Sequence, residues 1–284
     1  MNFQVINNRF RQRTAGLLLA MAIALVSPTL ARPGDVVEPT ANDLLRQAVA
    51  NEKIGGSEDY YAWMDRLQKP RGSVTKLMVN TPQGILARIV AYNERTLTPD
   101  ERKQDDARID RLLDPEMMRE KAKKQHEDRQ HIERVLYALA DAFQCEYATL
   151  QDDRNLRIKC SPNPSFSAPN YESQVLEGMN AEILIDRADK RITKIDGTLF
   201  REVTFGWGFL GRLKTGSIEI TQSKVAGKHW GITRMQLIFD GRLLVLKSLK
   251  IEETETAWDY RPVPRMTVAQ ALEFLRSSAA KPSH

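Results

Sequence analysis

The sequence predicts an α+β chain, mainly β, in which about eleven strands run as a long antiparallel meander with helices at the start, middle and end. Three observations carry that reading. Alternating segments punctuated by Gly, Pro, Asn and Asp recur over residues 59–92 and again over 145–254. One stretch, residues 98–143, carries helix-start signals and helical spacing instead. Hydrophobic residues make up 42% of the 284 and charged residues 28%. That balance supports a buried core and excludes a disordered, collagenous or multi-span membrane chain.

Residues 1–31 read as a secretory signal. Arg9, Arg11 and Arg13 form a cationic start, Ala15–Val26 is an apolar run of 12 residues, and Pro28 follows. Thr29-Leu30-Ala31 then offers small residues at the −3 and −1 positions of a cleavage site. Twelve residues fall short of the roughly 20 that span a bilayer, so cleavage is expected and no permanent membrane span after it. No cysteine follows the run, which excludes a lipid-anchored lipoprotein. The remainder, residues 32–284, reads as one domain with a helical insertion at 98–143, in the periplasm or secreted. The three arginines account for three of the net +5 charges, and residues 1–31 hold no acid. The expected mature chain is therefore almost neutral, which removes charge as an argument for nucleic-acid binding.

The elements follow in order. Thr40-Ala41-Asn42-Asp43 resembles a capping box and opens a helix with Leu44, Leu45, Ala48 and Val49 on one face. Residues 59–67 alternate, with Tyr61, Trp63 and Asp65 against Tyr60, Ala62 and Met64, and read as a strand. Strands are expected near 73–79 and 84–92, joined through Asn80–Gly84. Thr98-Pro99-Asp100-Glu101 is a full helix start, and Asp114-Pro115-Glu116 repeats the signal, so two helices cover roughly 99–113 and 115–143. From Thr98 to Gln144 the chain holds 10 Lys/Arg and 12 Asp/Glu, which makes a solvated charged face and not a basic arm. Ile132, Val135, Leu136, Leu139 and Phe143 form the one apolar stripe there. That end should pack on the sheet, and the earlier part should project or drape over it.

In an exported chain an even pair of cysteines reads as a disulfide. Residues 145–150 and 155–160 flank the turn-rich Gln151–Arg154. Paired as a hairpin with a four-residue loop, they set Cys145 opposite Cys160 and collect Cys145, Tyr147, Thr149, Leu156, Ile158 and Cys160 on one face. Glu146 then faces Lys159 on the other face. Two unpaired buried cysteines are the alternative. Beyond the prolines at 162, 164 and 169, strands are expected near 179–186, 190–198, 201–206, 214–225, 229–239 and 242–254. Asp240-Gly241 reads as a two-residue turn, and Thr267 caps a last helix.

Few constellations suggest chemistry. Gly206-Trp207-Gly208-Phe209-Leu210-Gly211 is a literal G-x-G-x-x-G after a strand, but a β-patterned segment follows it. No helix N-terminus is offered to a pyrophosphate, so no dinucleotide cofactor is expected. Trp207, Phe209 and Leu210 are candidate ligand-binding residues at a pocket mouth, or else core. His126 and His131, five residues apart on a helix, stand about 140° apart and cannot share one metal ion. There is no G-x-S-x-G elbow, His229 has no evident acid partner, and carboxylate pairs such as Asp152-Asp153 fall in turns. No catalytic residue, cofactor or metal is nominated.

The order of elements carries a resemblance. Ile183-Leu184-Ile185-Asp186, Lys190-Arg191-Ile192 and Ile195-Asp196-Gly197 resemble the central hairpin of periplasmic lipoprotein carriers of the LolA/LolB type, and are similar to RseB-like envelope-stress sensors. Phe205-Gly206-Trp207-Gly208, Leu210-Gly211 and Pro162-Asn163-Pro164 resemble a group of secreted bacterial proteins with this fold. The resemblance covers most of residues 40–277. It implies an unclosed β half-barrel with helices on its concave side and an apolar cavity holding acyl chains, as in outer-membrane lipoprotein sorting. The expected function is a non-enzymatic binding module for a lipid or a lipidated protein. The alternatives are a structural or sensor envelope protein whose interior is filled by its own helices, or a secreted hydrolase.

Overall fold

The computed structural model describes residues 39–52, 59–149, 152–205, 211–227, 229–243 and 247–279. Helix α1 (Ala41–Asn51) starts with the expected box: Asp43 N–H donates to the Thr40 hydroxyl, and Thr40 N–H donates to the Asp43 carboxylate. Strands β1 (Tyr60–Lys69), β2 (Gly72–Thr81), β3 (Gly84–Tyr92) and the two-residue β4 (Arg95–Thr96) follow. Helix α2 (Pro99–Asp110), a short 3-10 turn at Arg111–Leu113 and α3 (Pro115–Ala142) make the insertion. Thr98 with Glu101, and Asp114, cap the two helices where the sequence placed their starts.

Strands β5 (Phe143–Ala148), β6 (Asn155–Pro162), β7 (Met179–Asp186), β8 (Ile192–Leu199), β9 (Val203–Phe205), β10 (Gly211–Val225), β11 (His229–Leu243) and β12 (Lys247–Val263) complete the sheet, and α4 (Val268–Ala279) ends the described chain. All pair antiparallel in the order β4-β3-β2-β1-β12-β11-β10-β8-β7-β6-β5, with β9 on the end of β10. Twelve strands replace the expected eleven because the short β4 carried no pattern to read. Asp240-Gly241 is not a turn. Both residues lie inside β11, paired with Thr215 and Leu213 of β10 at a bulge. A Cβ at Gly241 would stand 2.2 Å from the Arg212 carbonyl oxygen. The glycine therefore serves close backbone approach, the other use of Gly in a strand.

The sheet is curved, and α3 spans its opening. Gln125 bonds the β3 edge, its side-chain amide pairing with both N–H and C=O of Ile85 at 3.0 and 2.9 Å. Eighteen residues later the helix has become β5, the opposite edge. That helix length is about 27 Å, whereas nine inter-strand steps would put the edges of a flat sheet about 43 Å apart. The edges therefore fold toward each other, and the face that α3 covers is the concave one.

Two separate cores form. On the concave face of β5–β8, α1 and the end of α3 bury Leu44, Leu45, Ala142, Phe143, Ile158, Ile183 and Ile185. Leu139 of the expected stripe is buried there and Val135 and Leu136 pack against it, while Ile132 is exposed. The second core lies at β1–β3, where Ala62, Leu77, Val79 and Leu86 meet Ile109, Met118, Leu272 and Leu275. Register assigns these strand residues to the opposite face: Met64, opposite Leu77, pairs with Trp258, whereas the next pair, Asp65 with Ala257, lies on the concave side. The expectation of helices on the concave side thus holds for α1 and the end of α3, and α4 packs on the convex face.

Both open edges are closed by side chains, the standard protection against edge-to-edge pairing. At β5, Cys145 N–H donates to Asn42 Oδ1 and Asn42 Nδ2 donates to Phe143 O, each 2.8 Å. At β3, Arg108 Nη2 donates to Ala87 O at 2.7 Å and Ile89 N–H donates to Asp105 at 3.3 Å, beside the Gln125 pair. The charged insertion drapes along the edge and supplies the bonds that another strand would have made.

Candidate functional site

The site is the concave face of the three longest strands. Ile218 and Ile220 of β10, Met235, Leu237 and Phe239 of β11, and Leu249 and Ile251 of β12 share that face by register. All seven are half-buried. Ile218 packs against the concave core, and among the described residues the other six belong to neither core. On the convex side of the same strands Arg234, Asp240, Lys250 and Glu252 are exposed. The outer face also exposes Ile238 and Trp258, and the concave face carries Glu253 and Glu255 opposite Leu237 and Met235, so alternation gathers an apolar row on the concave side and borders it with acids.

Glycine shapes the floor. A Cβ on Gly216 would stand 2.0 Å from the ring of Phe239, its partner across the strands. The ring therefore lies flat over the glycine. Gly197, on the same face, lies under the ends of Met179 and Ile218, at 2.7 and 2.9 Å from a Cβ placed there. Both positions exclude a larger residue without displacement of the apolar surface above.

Beyond the floor, toward β1 and β2, the concave face turns polar and aromatic. The Asp65 carboxyl shares a hydrogen bond with Glu255, and Lys76 sits opposite Asp65 in the register. Asp65 is 5% exposed. Burial pushes its pKa up to about 7; the Glu255 carboxyl adds to the rise, and Lys76 opposes it. Trp63 stacks on Tyr260 at 5.7 Å between centroids, and Tyr61 on His229 at 4.3 Å. Burial, then Asp65 and Glu255, push the Tyr260 phenol to about 12. Burial lowers the His229 pKa against the pull of Asp59. Lys69 pairs with Glu253 at 2.5 Å on the same wall.

At the other margin the end of α1 is tied to the sheet. The Glu52 carboxylate accepts from Arg191 Nε and Nη2 at 3.1 and 2.7 Å, from Ile192 N–H at 2.9 Å and from Gln222 at 2.9 Å. Asn51 donates to the Asp189 and Lys190 carbonyls. These bonds hold the end of α1 against β8 and β10.

The disulfide is formed between Cys145 and Cys160, which pair directly across β5 and β6. Cys145 N–H points away from β6, to Asn42, which makes this a non-hydrogen-bonded pair, the closer kind. The Cα atoms are 4.1 Å apart. The candidate mouth residues Trp207, Phe209 and Leu210 lie outside the described residues. Their flanks, Phe205 and Gly211, are paired neighbours of β9 and β10. His126 bonds Gln130, and His131 meets Glu172 together with Arg134, on the outer side of α3. Among the described residues no group of three His, Cys, Asp or Glu side chains is placed to hold a metal ion, and no helix is long and apolar enough to cross a membrane.

Sequence reasoning missed the Asp65–Glu255 pair. A signal was present: alternation put Asp65 on the same face as Tyr61 and Trp63, an unusual company for a solvated acid. Its partner, 190 residues on, carried no local mark.

No family model matches the chain, and no curated protein matches it. Among solved structures, a LolA superfamily protein from Nitrosomonas europaea is similar to it, with 11% identity over 79% of this chain and 95% of that one and a TM-score of 0.29. That likeness is slight, and the fold and site rest on this chain's own register and burial.

Proposed function

We propose that the protein is an exported, non-enzymatic binding module that holds the acyl chain of a lipid or lipidated protein on the concave face of β10–β12. In this reading residues 1–31 are a cleaved signal, the mature chain acts in the periplasm or outside the cell, and Trp207, Phe209 and Leu210 stand at the mouth. One observation carries it: six half-buried apolar side chains share one concave face and, among the described residues, belong to neither core. Apolar surface held in a concavity, with polar groups at one margin, is the usual make-up of a small-ligand site. The disulfide suits an oxidising compartment.

The test is titration of the delipidated protein with a fluorescent fatty acid, alongside a Leu237→Asp variant. Saturable binding by wild type and its loss in the variant, with an unchanged melting curve, support the reading. Equal binding by both overturns it.

The Asp65–Glu255 pair favours a second reading, a hydrolase using a carboxyl and a carboxylate as acid and base. With Asp65 almost fully covered, a substrate would meet the pair only through half-buried Glu255. Turnover of ester or glycoside substrates that disappears in Glu255→Gln would establish that reading.

A further inference from the structure

Resting on the binding reading above, we propose that Lys121 of α3 and Lys76 of β2 form an anion site at the rim of the concavity, which takes the phosphate or carboxylate head of an amphiphile whose chain lies on the β10–β12 floor.

The placement comes from contacts along the β3 edge. Gln125 is fixed on Ile85, and Lys121 stands one turn earlier on the same helix face. Four helical residues rise about 6 Å, close to two residues along a strand. That brings Lys121 level with Ala87, whose carbonyl accepts from Arg108. Lys76 is one strand further in, on the concave face, opposite Ile89 in the register. Three elements therefore bring cations to one place: Arg108 from α2, Lys121 with Lys124 from α3, and Lys76 from β2.

Their charges are unequally matched. Arg108 is neutralised by buried Asp105, with Nε 2.8 Å from Oδ1. Lys76 faces the Asp65–Glu255 pair, in which two carboxyls share a hydrogen bond. Lys121 is half-buried, and no hydrogen bond or ion pair engages its ammonium among the described residues. Burial lowers its pKa, and the charges of Arg108, Lys76 and Lys124 act in the same direction. A half-buried ammonium among cations is an unfavourable arrangement, and an anion paired with it offsets the cost of burial and the repulsion. From β2 to β11 is three strand steps, about 14 Å, a span that an acyl chain covers between this rim and Met235 or Leu237. Trp63 and Tyr260 line the way.

The experiment compares ligands of one chain length on the full mature chain: a lysophosphatidic acid, the neutral monoacylglycerol, and inorganic phosphate alone. Wild type, Lys121→Gln, Lys121→Arg and Leu237→Asp are titrated at low and high salt. The proposal expects Lys121→Gln to weaken the lysophosphatidic acid about tenfold, the order of one charge-assisted hydrogen bond. It also expects unchanged monoacylglycerol affinity, a shallower salt dependence and recovery in Lys121→Arg. Phosphate bound alone, Lys121-dependent, with no amphiphile bound by wild type, would support the anion site, identify a free anion as its source and overturn the lipid reading. Equal affinity of wild type and Lys121→Gln for both anionic ligands overturns the anion site. If Leu237→Asp still abolishes amphiphile binding, that result leaves the floor reading standing.

Discussion

The two ends of the sheet bury opposite faces. At β5–β8 the concave side is dry, filled by α1 and the end of α3, and a disulfide braces the outermost pair of strands. At β1–β3 the dry side is convex, under α4 and the start of the insertion, and the concave side carries Asp65, Lys76, Trp63 and Tyr61. Each end thus has its own helical anchor. The long central strands run between them, and among the described residues six of their concave apolar side chains lie in neither core. A sheet anchored on alternate faces can keep part of its concave side outside both cores without giving up a core at either end.

The largest effects should come from the two anchors. Leu45 and Leu272 are both fully buried, one in each core. Truncation of either to Ala should cost about 2–5 kcal/mol. The comparison predicts a split: Leu272→Ala should leave fatty-acid binding intact in the folded protein, whereas Leu45→Ala should loosen α1 and alter it. Chemical denaturation and probe titration of both variants read the two quantities. Identical effects on binding would mean that the cores are not independent.

Next comes the brace. Replacing Cys145 and Cys160 by Ser opens a 16-residue loop and should cost up to about 3 kcal/mol on the chain-entropy estimate. The loss should fall on the β5–β6 edge, so amides of β1–β3 should keep their hydrogen-exchange protection. Uniform loss of protection would show the sheet to open as one unit.

The smallest effect tests the polar wall. The Asp65 pKa is raised from 3.8 to about 7 by burial and then by Glu255. Its folded value lies above its unfolded one, so its contribution to stability is present below about pH 4 and is lost as pH rises toward 7. Asp65→Asn should therefore flatten the pH profile. Near pH 8 it should be more stable than wild type by about 1 kcal/mol, or roughly 2–4 °C in Tm. Parallel melting profiles from pH 5 to pH 8 would rule out a buried, proton-sharing pair.

Much of this architecture was written locally. Thr40 with Asp43, Thr98 with Glu101, and Asp114 fixed three helix starts, because a cap satisfies orphan N–H groups within a few residues of itself. The register of β5 on β6, with its disulfide, was likewise legible, since one alignment sorted apolar from charged side chains and matched the thiols. Alternation placed β1, β2, β3 and β7 within a few residues of where they lie.

Other features were decided only by distant contacts. Asp240-Gly241 has the composition of a turn, yet β10 pairs across it, and the glycine is needed for the close approach of Arg212. The face on which each helix packs could not be read from an amphipathic stripe, which says that a helix is half-buried and not against what. The insertion's near-neutral charge marked it as solvated, but its edge-closing bonds depend on the β3 backbone lying alongside. The candidate site belongs to this second class. Met235, Leu237, Ile251 and Ile220 are brought onto one face by the strand order β12-β11-β10, and among the described residues neither helical core includes them. Local sequence determines which side chains share a face, because strand and helix periods are local. What covers that face is set by packing between segments far apart in the chain, as α1 and the end of α3 show at β5–β8 and α4 at β2 and β3.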